Sequence, residues 1–367
     1  MADESTTRSG GNVDRATANF AMQPQHTDMS VLQTRLKKQL ITPPSSFIDP
    51  PLTPSPTDKV FTQAPRVIAL FRLIKSGRHV GLHPWTEFQL ARGEYSEIER
   101  RLEQDECLWG FVKDKIRYDY DGTRNRLVVR MPTAVHGLLI SGVEDVIRCG
   151  LERIRGGSDK GGSDKAALFA QKVWLARSTV IHFPVDDAPP TTRSKHEPDA
   201  SFWHADAVYP GVIIEVSYSQ KRKRLDRLAE EYLLDSNASV RVVVGLDIEY
   251  GGEKSRKATL SVWRTHVFHT DDGDELRVVQ EIADEAFRDD QGNPTDHPGL
   301  RLQLSDFACG RLTEDIGGES QEILLSTQQL CQYLTAAEDK IRKLKQGMLV
   351  EIPLPLGVKK RKRSRTP

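Results

Sequence analysis

Two acidic side chains carry most of the chemistry in this sequence, and both lie within residues 196–233, HEPDASFWHADAVYPGVIIEVSYSQKRKRLDRLAEEYL. Asp199 follows Pro198 at the head of a β-type run, Ala200-Ser201-Phe202-Trp203. After a turn signal at Tyr209-Pro210-Gly211 comes Val212-Ile213-Ile214-Glu215-Val216, a β-branched run that reads as a buried strand. Glu215 interrupts it. A carboxylate is costly to bury unless it is paired, hydrogen-bonded or bound to a metal, so Glu215 demands a partner. Four cations, Lys221, Arg222, Lys223 and Arg224, open the helix that follows, whose apolar face is Leu225, Leu228, Ala229, Tyr232 and Leu233. Cations at a helix N-terminus oppose its dipole by about 0.3–1 kcal/mol each. The cluster is therefore either a solvated face or a place for an anion.

The elements that must position these residues can be read on both sides. Val67, Ile68, Leu70, Phe71 and Ile74 make a short amphipathic helix stopped near Gly77, and Glu94 to Asp105 reads as a second. Phe88-Gln89-Leu90 is ambiguous. Leu108 to Tyr120 is rich in β-formers; with the turn Asp121-Gly122 and the run Leu127–Met131 it predicts a hairpin. Thr133 is the expected N-cap of a long helix to Arg155, with an apolar stripe from Val135 to Ile154. Its neighbouring ridge holds His136 and Glu144. The tandem copy Gly156-Gly157-Ser158-Asp159-Lys160, Gly161-Gly162-Ser163-Asp164-Lys165 reads as a flexible loop insertion, and it lacks the order of a phosphate-binding loop. Ala170 to Pro184 reads as strand, and Pro189 to Lys195 as the loop leading to Pro198. Val240 to Ile248 is a strand covered on both faces. Lys257–His266 and Leu276–Ile282 are expected as antiparallel additions, Asp289–Asn293 as a turn rather than a calcium loop, Leu300–Leu304 as a closing strand, and Ile323–Leu344 as a last helix.

Pro198-Asp199, the strand-borne Glu215 sixteen positions on and the helix after it resemble the restriction-endonuclease-like PD-(D/E)xK superfamily, most closely the Uma2-like branch and its fungal relatives. The order helix, hairpin, Pro132-to-His136 helix, Pro-Asp strand, Glu strand, helix, strand is similar over about residues 90–265. The resemblance implies an α/β (α+β) fold with a mixed central sheet flanked by helices. It further implies a Mg²⁺ (or Mn²⁺) held by Asp199 and Glu215 for phosphodiester hydrolysis, with Glu144 as a third carboxylate if it reaches the pair. Hard oxygen ligands suit such a cation. The family's lysine is missing at both of its usual places. Ser217 stands two residues after the Glu, and Leu228 stands four before Tyr232. Lys221 or Lys223 would have to supply that catalytic charge.

Lys+Arg 52 against Asp+Glu 52 gives no net charge, so the distribution matters more than the sum. Cys107, Cys149, Cys309 and Cys331 stand far apart without metal spacing, which argues against a structural zinc and suits a reducing compartment. No apolar run reaches the ~18 residues a membrane helix needs, and no secretory signal opens the chain. The expected organisation is a disordered Ser/Thr/Pro-rich region to residue 64, a helical N-terminal extension over 65–107, the nuclease-like domain over 108–310, a helix over 320–346 and a basic tail over 347–367. Lys359-Lys360-Arg361-Lys362-Arg363 has the form of a nuclear import signal, and also suits phosphate.

Three functions stay open. The chain is a Mg²⁺-dependent nuclease in the nucleus; or an inactive relative that binds nucleic acid through Lys221–Arg224 and the tail; or a protein-interaction scaffold whose acids are paired to core cations.

Overall fold

Ala64, Val67, Ile68 and Phe71 share one side of α1 (Gln63–Lys75) and are buried there. The structure, a computed structural model, describes residues 61–79, 85–157, 164–186, 188–189, 192–218, 223–249, 255–316 and 321–361. The tail expected up to residue 64 lies almost wholly outside these residues, as do Ser158–Ser163 of the tandem repeat.

After α1 come β1 (Trp85–Gln89), α2 (Glu94–Glu103), α3 (Glu106–Lys115), β2 (Arg117–Asp121) and β3 (Arg126–Arg130). α3 corrects the strand expected from Leu108. The Asp105 carboxylate accepts a hydrogen bond from the Leu108 amide at 3.1 Å, and Leu108 and Val112 sit one turn apart on the buried side. The strand is confined to Arg117–Asp121. The helices of 65–107 are no appendage, because Phe71, Ile98 and Leu102 share one hydrophobic cluster with Tyr118, Tyr120, Leu127 and Val129.

α4 (Ala134–Arg155) begins at the expected cap, Thr133, whose side chain accepts from the His136 amide. α5 (Asp164–Gln171) and β4 (Val173–Leu175) follow, then β5 (Ile181–Pro184), β6 (Arg193–His196), β7 (Ala200–His204) and β8 (Val212–Tyr218). α6 (Lys223–Asp235), β9 (Val242–Ile248), β10 (Ala258–Thr270), β11 (Gly273–Arg288) and β12 (Leu300–Gln303) continue the chain. α7 (Gly310–Thr313), β13 (Glu322–Leu325) and α8 (Thr327–Lys345) complete it. β6 replaces the loop expected before Pro198. β13 replaces the first turn expected of the last helix: Ile323 and Leu325 alternate inward, and the helix waits for its cap at Ser326.

β1-β3-β2-β6-β5 form one antiparallel sheet. A mixed sheet, ordered β11-β10-β9-β8-β7-β4, carries both candidate acids; β8 and β9 pair in parallel across α6, and its other pairs are antiparallel. α4, α5 and α8 cover one face of it in the largest core, and α6 covers the other with Ile213, Val243 and Trp263. The chain is therefore a mixed α/β protein. Gly211, at the entrance to β8, is required by packing: a Cβ there would lie 2.2 Å from the Phe307 carbonyl carbon.

Ser326 and Gln329 cap α8 reciprocally, each side chain accepting the other's backbone N–H. Ser326→Ala is expected to cost about 1 kcal/mol, read as a lower urea midpoint with unchanged slope.

Candidate functional site

The β2–β3 hairpin has two unlike faces. Tyr118, Tyr120, Leu127 and Val129 point into the hydrophobic cluster with α1 and α2. Strand alternation sends Asp119, Asp121, Arg126 and Arg130 to the other face, and all four are buried. There they meet the acids of β7, β8 and α6.

Arg130 is the hub. Its Nη1 donates to Glu215 Oε2 at 2.7 Å and lies 3.8 Å from Asp199 Oδ1. Its Nη2 donates to Asp119 Oδ1 at 3.0 Å and to the Glu197 carbonyl. Arg117 lies 2.7 Å from Asp199 Oδ1 through Nη2, which also donates to the Glu197 and Pro198 carbonyls at 2.9 and 2.7 Å. The other Asp199 oxygen accepts from the Val216 amide at 2.7 Å. His136 Nε2 approaches that oxygen at 3.0 Å without hydrogen-bond alignment. Tyr232 Oη donates to Glu215 Oε1 at 2.7 Å. All four oxygens of the acid pair are thus engaged, and each carboxylate is only 2% exposed.

Electrostatics follows the contacts. Burial would raise the pKa of Asp199, but His136, Arg117 and Arg130 outweigh it and hold it well below the usual range. Burial pushes the Glu215 pKa up, Asp199 and Asp119 add to the rise, and Arg130 opposes it. Burial also works against the charge of Arg130, yet Asp119, Glu215 and Asp199 together keep its pKa well above the ordinary value. The guanidinium stays charged, and it is the cation the two acids share.

A second knot extends this layer. Glu231 on α6 lies 3.0 Å from Arg124 and 3.3 Å from Arg126, and Asp121 lies 3.3 Å from Arg124. Burial, then Asp121, raises the Glu231 pKa to about 8 against these arginines. Between the knots, a cavity of about 10 Å³ touches Asp119, Arg126, His196 and Glu231, room for about one water.

The structure brings Asp199 and Glu215 together as expected, with a different cation between them. Mg²⁺ takes one or two carboxylates and keeps several waters. Here the oxygens are buried and occupied by arginine, tyrosine and amide donors, so these residues do not fit Mg²⁺ or Mn²⁺. Glu144 lies buried on α4 with Arg177 as its charged neighbour; burial raises its pKa. Among the described residues no three His, Cys, Asp or Glu side chains group to hold a metal, so Glu144 does not join the pair. Ser217 donates instead to Asp247 of β9, and Leu228 is buried in the α6 core. Lys221 and Arg222 lie outside the described residues, as do the side chains of Lys223 and Arg224, and Lys362 and Arg363 of the tail. Lys359, Lys360 and Arg361 are exposed.

Sequence reasoning missed Arg117, Asp119, Arg130 and Glu231. A signal was present: RYDYD and RLVVR place charges at every second or fourth position among strong β-formers, marking a strand face that is charged and buried. The chain matches no family model and no curated protein.

Tyr232→Phe removes a buried donor to a carboxylate. It is expected to cost about 1.5–3 kcal/mol, measured by chemical denaturation against the parent chain.

Among the described residues no helix is long and apolar enough to cross a membrane.

Proposed function

We propose that this chain is a non-hydrolytic binding module of restriction-endonuclease-like build, in which the acid pair has become the anchor of an internal ion-pair cluster. The observation carrying this reading is Arg130, set between Asp199 and Glu215 at 3.8 and 2.7 Å. A metal-dependent hydrolase needs open oxygens and a metal-bound water that can reach phosphorus. Neither acid offers such an oxygen. The order α4, β7, β8, α6, β9, with parallel β8–β9 pairing, agrees with the element order that prompted the resemblance and supports the fold part of the reading.

The proposed ligand is nucleic acid, met through basic segments rather than the acid pair. Supporting it are the exposed Lys359, Lys360 and Arg361 and the cationic sequence Lys221–Arg224. The run 359–363 also suits the nuclear import machinery, and a nuclear location is part of the proposal.

The test combines a nicking assay with thermal unfolding at millimolar Mg²⁺ and Mn²⁺. We expect no cleavage above that of Asp199→Ala and Glu215→Ala, and no metal-dependent rise in Tm. Cleavage that needs metal and disappears in both variants would restore the nuclease. Duplex binding is expected to weaken steeply with salt, since each neutralised phosphate releases counterions.

A further inference from the structure

β10 and β11 outrun the sheet they belong to. β10 pairs with β9 only as far as Arg264 opposite Val242, whereas its pairing with β11 continues to Thr270 opposite Gly273. Residues 265–278 thus form a two-stranded ribbon beyond the sheet, with Val267 58% and Phe268 39% exposed. A lone two-stranded ribbon is marginal in water, and a third strand is what stabilises one.

One edge of this ribbon is open, because β11 is the terminal strand of its sheet. The two-residue turn Asp271-Asp272 makes Thr270–Gly273 the closing hydrogen-bonded pair. Alternation then directs the backbone groups of Asp274, Leu276, Val278 and Gln280 away from β10, toward a further strand. The register is regular up to Gln280; the irregularities lie beyond it.

The same chain carries a segment that fits this edge. After α8, Met348, Val350, Ile352, Leu354, Leu356 and Val358 recur at every second position, and all are exposed. Such a period is that of a strand with one apolar face. In the single chain its end is folded into a turn, Val358 N–H donating to the Pro355 carbonyl at 3.0 Å with Gly357 at φ +86°, and this turn opens when the strand adds. Pro353 and Pro355 both occupy the other parity, where an added edge strand turns its N–H to solvent and proline is tolerated. An antiparallel register setting Leu356 opposite Leu276 and Leu354 opposite Val278 keeps both prolines on the outer side. It also brings Lys359, Lys360 and Arg361 beside Gly273, Asp272 and Asp271. Asp271 and Asp272 are exposed, and Asp274 next to them is bound by His269 at 2.6 Å. Apolar period, proline parity and charge agree in one register.

We propose that the segment 348–361 of one copy adds as an antiparallel strand to the β11 edge of a second copy, giving a reciprocal dimer. A second copy is the occupant because, within one chain, the segment leaves α8 with its apolar side chains uncovered.

Sedimentation velocity of the full chain across a concentration series tests this. We expect a monomer–dimer equilibrium that weakens as salt rises. Leu354→Asp combined with Leu356→Asp, in the exposed tail where folding is not at stake, should weaken dimerisation at least tenfold. Asp271→Lys with Asp272→Lys should weaken it similarly, and Lys359→Asp with Lys360→Asp in that chain should restore it. A mixture of the tail variant and the unreversed tip variant should form one heterodimer through its single intact pairing. A monomer at every concentration overturns the proposal, whether the tail amides exchange freely or are protected within one chain. So does a dimer indifferent to the tail substitutions.

Discussion

Replacing Arg130 by methionine should destabilise the protein by about 3–5 kcal/mol, the usual cost of removing one partner from a buried ion pair. The loss comes less from the missing bonds than from what remains. Asp119 would lose its guanidinium partner in a dry environment, Glu215, whose pKa burial already raises, would have to take up a proton, and Asp199 would retain only Arg117 and His136 nearby. Glu215→Gln placed in the Arg130→Met chain should therefore recover part of the loss, because the amide is neutral without having to take up a proton. Urea denaturation of the four chains in this cycle gives the coupling directly. A cost below about 1 kcal/mol for Arg130→Met would mean that solvent or a rearranged cation satisfies the acids, and the case against an open metal site would lapse.

Acid should destabilise the folded chain through His196 by up to about 3 kcal/mol between pH 6.5 and 4. Burial lowers the pKa of this imidazole to about 4; Arg130 adds to the lowering and Asp119 opposes it. The ring lies beside Phe183 and Tyr232, with centroids 5.6 and 5.3 Å away, and neither nitrogen has a hydrogen-bond partner among the described residues. As pH falls below 6.5 the unfolded chain takes up a proton that the folded chain refuses until about pH 4, so stability drops across that window. The raised Glu231 runs the other way, contributing stability below about pH 4.5 that is lost as pH rises through 8. Asp199, held low, adds an acid loss only below its ordinary value near 3.8. Stability measured from pH 4 to 7 in the parent and in His196→Phe isolates the histidine. Relative to the variant, the parent should lose up to about 3 kcal/mol as pH falls from 6.5 to 4, the glutamate contributions cancelling in the difference. An identical slope in both would show that His196 is hydrated or partnered, most directly by a water in the adjoining cavity.

Much of the molecule was legible because its signals are local. The Thr133 cap, the stripe along α4 and the β-branched runs of β8 and β9 depend on neighbours within a turn or along one strand. Where short runs were ambiguous, partners decided. Leu108 to Lys115 is rich in β-formers, yet the Asp105 cap and the helical spacing of Leu108 and Val112 make it α3. Ile323 to Leu325 joined β12 instead of the helix beside it.

By itself the sequence determined that Glu215 would be buried in a strand and that burial would demand a counterpart, since hydrophobic period and desolvation act at the residue itself. Only the tertiary structure decided which counterpart. Arg130 stands 85 positions away from Glu215, on a strand of the other sheet, and reaches it because the hairpin turns its charged face toward β8. A carboxylate's need is written in its own surroundings, whereas the cation that meets it is set by how distant segments pack.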